Sequence, residues 1–263
     1  MKTFKPFLFL TCFVLIVGLA CSLGASDTPV PPQQQPPTQP QQQPPTQPPQ
    51  PDPPTAAPQP TQPPVPQAQE FFTEEFDSPL SDDWSIFTVT GSNSSDPDKV
   101  TVEARDGKLH WDFDSEQVYY YLFYNAFEYE DVTVEVIADN RGRNNNSVSL
   151  VCRYDPDVGW YEFNIANNGL YDILYAEVDS NGDIGYNLIT NGGSNSIKTG
   201  RDVNEYSITC EGDELSLRIN GDDVKSITER AYALRSGQVG VSVSSFDVLP
   251  IQIEMDLFQV SEP

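Results

Sequence analysis

Trp160-Tyr161-Glu162-Phe163-Asn164-Ile165 alternates large and polar side chains with a period of two, the pattern of a strand that buries one face. The same period recurs on both sides of it. Upstream, Leu109, Trp111 and Phe113 alternate with His110, Asp112 and Asp114, and Val132, Val134 and Val136 with Thr133 and Glu135. Val148, Leu150 and Cys152 alternate with Ser149, Val151 and Arg153. Downstream come Leu215-x-Leu217-x-Ile219, Val239-x-Val241-x-Val243 and Ile251-x-Ile253-x-Met255-x-Leu257. Asp106-Gly107, Asn168-Gly169, Asn181-Gly182, Asn191-Gly192 and Asn220-Gly221 supply the positive φ that tight hairpins require. No amphipathic helix exceeds two turns; Thr228 to Leu234 is read as one short turn at most. About a dozen strands in one antiparallel unit predict an all-β sandwich of two sheets.

These strands fill residues 70–263, and the chain before them has another character. Lys2 and Lys5 precede an apolar run from Phe7 to Ala20, too short to span a membrane and arranged like a secretory signal. Residues 1–20 are therefore expected to be a signal peptide. Two readings of its end compete. Gly18 and Ala20 fit ordinary cleavage after Ala20. Alternatively, Leu19-Ala20-Cys21 resembles the lipobox of bacterial lipoproteins, which would make Cys21 a lipid-bearing N-terminus, although Gly18 stands where that motif has Leu. Residues 21–69 are expected to be a disordered linker. Gln33 to Pro40 repeats without change as Gln41 to Pro48, and 22–69 hold 18 prolines and only two acids, Asp27 and Asp52. Proline removes backbone donors and almost no apolar side chains are there to offset the entropy of ordering, so extended polyproline II stretches are expected to serve as a spacer.

Charge narrows the partners. The 263 residues carry 39 Asp+Glu against 14 Lys+Arg, a net charge of −25 that belongs wholly to 70–263. Nucleic acid and an electrostatic hold on anionic lipid are not expected of such a surface. One His and four Cys, two of them within the first 21 residues, leave no zinc cluster to build.

Phe76-Asp77, Asp83-Trp84 and Asp106-Gly107-Lys108-Leu109 resemble the opening of concanavalin A-like jelly-roll domains. The order continues through Val151-Cys152-Arg153-Tyr154, Trp160 to Ile165, Gly169-Leu170-Tyr171, Tyr206 to Gly212, Leu217 to Gly221 and Gly237 to Val241, closing on Asp256-Leu257-Phe258. It is similar to 3-keto-disaccharide hydrolase and laminin G-like domains of bacterial surface proteins. The resemblance covers nearly all of 70–263 and implies a concanavalin A-like jelly roll; its motifs are structural and imply no particular activity. Cys152 and Cys210 both fall in strands of this pattern. In an exported protein they are expected to form a disulfide, with two buried thiols as the alternative.

Candidate chemistry follows. Glu254-Met255-Asp256-Leu257-Phe258-Gln259 resembles the Glu-x-Asp-x-x-Glu of family 16 jelly-roll glycosidases, but Gln259 cannot transfer a proton, so no catalytic residue is assigned there. His110 is expected at the surface. Asp179-Ser180-Asn181-Gly182-Asp183 fails the EF-hand pattern and reads as a hairpin turn; calcium is the one candidate cofactor, and its ligands among the loop acids stay open. The candidate ligand site is aromatic. Arg153, Trp160 and Glu162 alternate away from Tyr161 and Phe163, and Tyr119 and Tyr121 share that surface if Tyr120 and Leu122 take the core side. An outward ring, a guanidinium and a carboxylate can stack a sugar and hold its hydroxyls. Burial of both faces under loops is the competing arrangement. The expected function is a non-catalytic, extracytoplasmic binding module for glycans at the cell surface, held by a lipid anchor. A sugar-cleaving hydrolase and an adhesive domain that binds protein are the rivals.

Overall fold

The computed structural model describes residues 68–263; the expected signal peptide, Cys21 and the expected linker apart from Ala68 and Gln69 lie outside the described residues. Fifteen strands follow one another in the described chain. They are β1 (Phe72–Glu74), β2 (Trp84–Thr90), β3 (Val100–Arg105), β4 (Lys108–Phe113) and β5 (Val118–Tyr129). Next are β6 (Val132–Asn140), β7 (Asn146–Asp155), β8 (Gly159–Ala166), β9 (Leu170–Val178) and β10 (Ile184–Gly193). The last are β11 (Val203–Glu211), β12 (Glu214–Ile219), β13 (Asp222–Thr228), β14 (Gly237–Ser245) and β15 (Ile251–Ser261). The one helical element among them is a single 3-10 turn, Pro97–Lys99, capped by the Asp96 carboxylate.

All pairings are antiparallel and make two sheets. One has eight strands in the order β13-β12-β11-β6-β15-β4-β3, with β1 beside β15. The other has seven, β10-β9-β8-β7-β14-β5-β2. The alternating residues set the inner faces. Tyr161, Phe163 and Ile165 of β8 meet Leu109, Trp111, Val134, Val136, Leu217 and Val241 in one core between the sheets. Cys152 on β7 and Cys210 on β11 are joined by the expected disulfide, which ties one sheet to the other across that core.

Several local expectations are corrected. Asn191-Gly192 lies inside β10 and is no turn; Gly192 is small because the Tyr171 hydroxyl lies 2.5 Å from where a Cβ would stand. The regular alternation of β15 breaks at a bulge between Met255 and Leu257, so Phe258 rather than Leu257 enters the core. Thr228 to Leu234 forms no helical turn. The buried Glu229 carboxylate instead accepts the N–H groups of Ala231, Tyr232 and Ala233 and the Tyr161 hydroxyl.

Candidate functional site

The seven-stranded sheet has a second buried cluster on its outer face: Tyr121, Phe123, Val151, Trp160 and Ala176, flanked by Phe87, Val89, Tyr119, Tyr154, Val178 and Ile184. Register explains it. Phe123, Gly240, Val151 and Glu162 pair successively across β5, β14, β7 and β8. Gly240 makes room for the Phe123 ring, whose Cδ1 would sit 2.6 Å from a Cβ there. Trp160 stands opposite Ala176, which leaves the indole space. The adjacent row, Tyr121-Ser242-Ser149-Asn164-Asp172-Asn191, is polar from end to end.

Curvature makes this face a trough. Tyr119 on β5 and Tyr186 on β10 are five strand steps apart, about 24 Å on a flat sheet. Their rings nevertheless lie 6.4 Å apart, and the Tyr121 and Tyr186 hydroxyls 2.8 Å. The sheet is therefore strongly curled, with both of its edges turned toward each other. Between them is a cavity of about 460 Å³. Tyr119, Val89 and Phe246 line one side, Ile184, Tyr186 and Leu174 the other, and Glu162, Asn164 and Asp172 the floor.

Glu162 is 1 % exposed and tightly held. Its Oε2 accepts from the Tyr121 hydroxyl at 2.9 Å and from Trp160 Nε1 at 3.1 Å, and its Oε1 accepts from Ser149 Oγ at 2.7 Å. Because Tyr121 gives its proton to Glu162, Tyr186 donates to Tyr121, and a relay runs from the trough wall to the buried carboxylate. Burial raises the Glu162 pKa above the usual carboxylate range, against the opposing pull of these donors. Asp172 is half-buried with its pKa raised by burial alone. Asn164 Nδ2 donates to Ser147 and Ser149, which fixes its amide on the floor.

The structure thus brings together four of the five residues expected at a ligand site, with two corrections. Tyr119, Tyr121, Trp160 and Glu162 share one face, and Tyr119 and Glu162 line the trough. Trp160 is not an outward ring: it is fully buried, edge-on to Phe87, Tyr121 and Phe123, because the curled sheet folds its own rings over it. Tyr121 is likewise fully buried. Arg153 is not at the site. An irregularity of the β7–β8 pairing falls between Cys152 and Asp155, and Arg153 has a φ of 54°. Its guanidinium is buried and donates to the carbonyls of Glu130 and Leu234. Asp172, Leu174 and Tyr186 were missed. The alternation Tyr171-x-Ile173-x-Tyr175 could have placed Asp172 and Leu174 on the outer face, but β10 has no clean alternation to flag Tyr186.

Elsewhere, Glu254 and Asp256 lie on the eight-stranded sheet, far in topology from the trough, and pair with Lys108 at 3.5 and 2.6 Å. His110 is half-buried rather than freely exposed, on β4 beside Glu254 of the neighbouring β15. The Asp179 carboxylate accepts the N–H groups of Asn181 and Asp183, the bonding of a hairpin turn.

No family model matches the chain, and no curated protein matches it in sequence. Solved structures do match its fold. A glycoside hydrolase family 16 endo-glucanase from Bacteroides ovatus superposes with a TM-score of 0.53 at 10 % identity, covering 72 % of this chain and 99 % of its own. A β-1,3-1,4-glucanase (lichenase) from a mouse hindgut metagenome gives 0.51 at 12 % identity, covering 73 % and 99 %. A protein of unknown function with a galectin-like fold from Bacillus subtilis gives 0.52 at 11 % identity, covering 73 % and 94 %. The chain has the concanavalin A-like jelly-roll fold that its strand order implied.

Proposed function

We propose that the chain is a non-catalytic glycan-binding module. One observation carries this: a curled trough of about 460 Å³ with tyrosine rings on its walls and Glu162, Asn164 and Asp172 on its floor. Rings offer apolar faces for a pyranose to stack on, and the Asn164 amide and the Asp172 carboxylate can take its hydroxyls. Mixed-linkage β-glucan is the first probe to use, since glucanases of that kind are among the structures sharing the fold. The module is proposed to act outside the cell. In this reading the first 20 residues direct export, Cys21 is lipid-bearing, and the Pro/Gln linker holds the jelly roll off the membrane; the strand and turn motifs of 70–263 support kinship with 3-keto-disaccharide hydrolase and laminin G-like surface domains. Cys21→Ala should then release the exported protein from the membrane fraction.

A second reading has an observation of its own. Glu162 and Asp172 face the same trough from adjacent strands, two residues off direct pairing. Glycoside hydrolysis uses a pair of carboxyls that flank the scissile bond. The burial of Glu162 favours binding instead: three donors already hold its two oxygens in place, and it is almost wholly inaccessible. A glycan array with the purified protein, scored together with release of reducing ends, decides between them. Binding without turnover, weakened at least about tenfold by Tyr186→Ala, is the expected result. Turnover that Asp172→Asn or Glu162→Gln abolishes would establish the hydrolase.

A further inference from the structure

The charges that face the trough are all of one sign. Its floor holds Glu162 and Asp172, and no Lys, Arg or His lines it. The rest of the seven-stranded sheet supplies no compensation. Across β2, β5, β7, β8, β9, β10 and β14 the one basic residue is Arg153. Its guanidinium is 2 % exposed and spent on the carbonyls of Glu130 and Leu234. β10 and β2, the edges that form the two sides of the trough, carry no charged residue at all. Around them the protein carries a net charge of −25.

The two carboxylates differ in what they can still do. Glu162 has its oxygens filled from Tyr121, Ser149 and Trp160. Asp172 stands half-buried on the floor, opposite Asn164 on one side and Asn191 on the other, with both carboxylate oxygens free of any charged partner. A carboxylate in that position accepts hydroxyl protons readily. It repels a second carboxylate or a sulfate, and the low-dielectric walls deepen the repulsion because less water screens it.

We infer that the trough selects neutral glycans and excludes those bearing uronate or sulfate groups, with Asp172 as the residue that sets the exclusion. This rests on the glycan-binding reading and names its ligand class. The amide neighbours Asn164 and Asn191 suit the same class, since they donate to and accept from hydroxyls without adding charge.

Matched ligands test it. Neutral oligosaccharides, beginning with mixed-linkage β-glucan, are compared with the same chains oxidised to carboxylates at C6 and with the methyl esters of those carboxylates, which lack the C6 hydroxyl but carry no charge. In titrations of the purified protein at low ionic strength, each oxidised chain should bind at least about tenfold more weakly than its neutral parent and than its methyl ester. The gap should narrow at about 0.5 M NaCl, where screening lengths fall below the width of the trough. Asp172→Asn should close most of the gap, bringing the ratio of neutral to oxidised affinity to within about threefold whatever its effect on neutral binding itself. Equal or tighter binding of the oxidised chains by the wild-type protein overturns the inference and leaves the glycan reading intact. A gap that persists unchanged in Asp172→Asn overturns the role of Asp172. Binding of neither form, across the whole panel, overturns the glycan reading and the inference with it.

Discussion

Removing the Trp160 indole tests whether the outer face of the seven-stranded sheet is a true second core. The ring has no accessible surface and packs within 6.4 Å, centroid to centroid, of Phe87, Tyr121, Phe123, Tyr154 and Tyr186. Trp160→Ala deletes those contacts and leaves a cavity, which costs about 3–5 kcal/mol. It also strips one donor from the buried Glu162 carboxylate, for which hydrogen bonds to charged groups contribute about 1.5–3 kcal/mol. Partial collapse and a water replacing the indole N–H bring the net loss to about 4 kcal/mol, or about 12 °C in melting temperature for a domain of this size. Trp160→Phe keeps a ring and loses the N–H, so it should fall between the two proteins. Melting followed by near-ultraviolet circular dichroism reads both. A Trp160→Ala protein that melts within about 2 °C of wild type would refute the packing argument, since only a solvated ring is removed so cheaply.

Three further outcomes follow from named contacts. Non-reducing mass spectrometry should find Cys152 linked to Cys210, and the double Cys→Ala variant should lose about 4 kcal/mol of stability, as a chain-entropy estimate for a loop of 58 residues gives; alkylation of both thiols without reductant would contradict it. Glu162 has a folded pKa raised by burial, so its contribution is fully present below its unfolded pKa and is lost as pH rises through the folded one. The melting temperature of wild type relative to Glu162→Gln should therefore fall as pH is raised from about 4.3, and a difference that is flat or rises with pH would contradict the assignment. Arg153→Met should destabilise the protein without changing glycan affinity, because its buried guanidinium binds the backbone carbonyls of Glu130 and Leu234 away from the trough; a selective loss of affinity would return it to the site.

The inner core was legible because alternation and burial have the same period. Leu109-x-Trp111-x-Phe113 and Tyr161-x-Phe163-x-Ile165 point inward as their spacing requires. Legibility stopped where one residue shifts the phase or where distant strands meet. The bulge in β15 exchanges Leu257 for Phe258, and the positive φ of Arg153 swings it out of the row that Trp160 and Glu162 occupy. The site itself needed the curl of the sheet. Period two assigns Trp160 and Tyr121 to the outer face, and that much was visible. It does not say that β10 bends back to within bonding distance of β5, which buries both residues and makes Tyr186 a wall. Asn191-Gly192 shows the same limit: the dipeptide favours a turn locally, yet the Tyr171 ring above it needs a glycine in a strand.

The central claim is that a sugar ring sits in this trough. A crystal of the protein grown with a mixed-linkage β-glucan tetrasaccharide tests it directly. The account predicts a pyranose in the trough, stacked against Tyr119 or Tyr186, its hydroxyls within hydrogen-bond reach of Asn164 and Asp172 and its glycosidic bonds intact. Sugar density on the eight-stranded sheet with an empty trough, or a cleaved product beside Glu162, would contradict it.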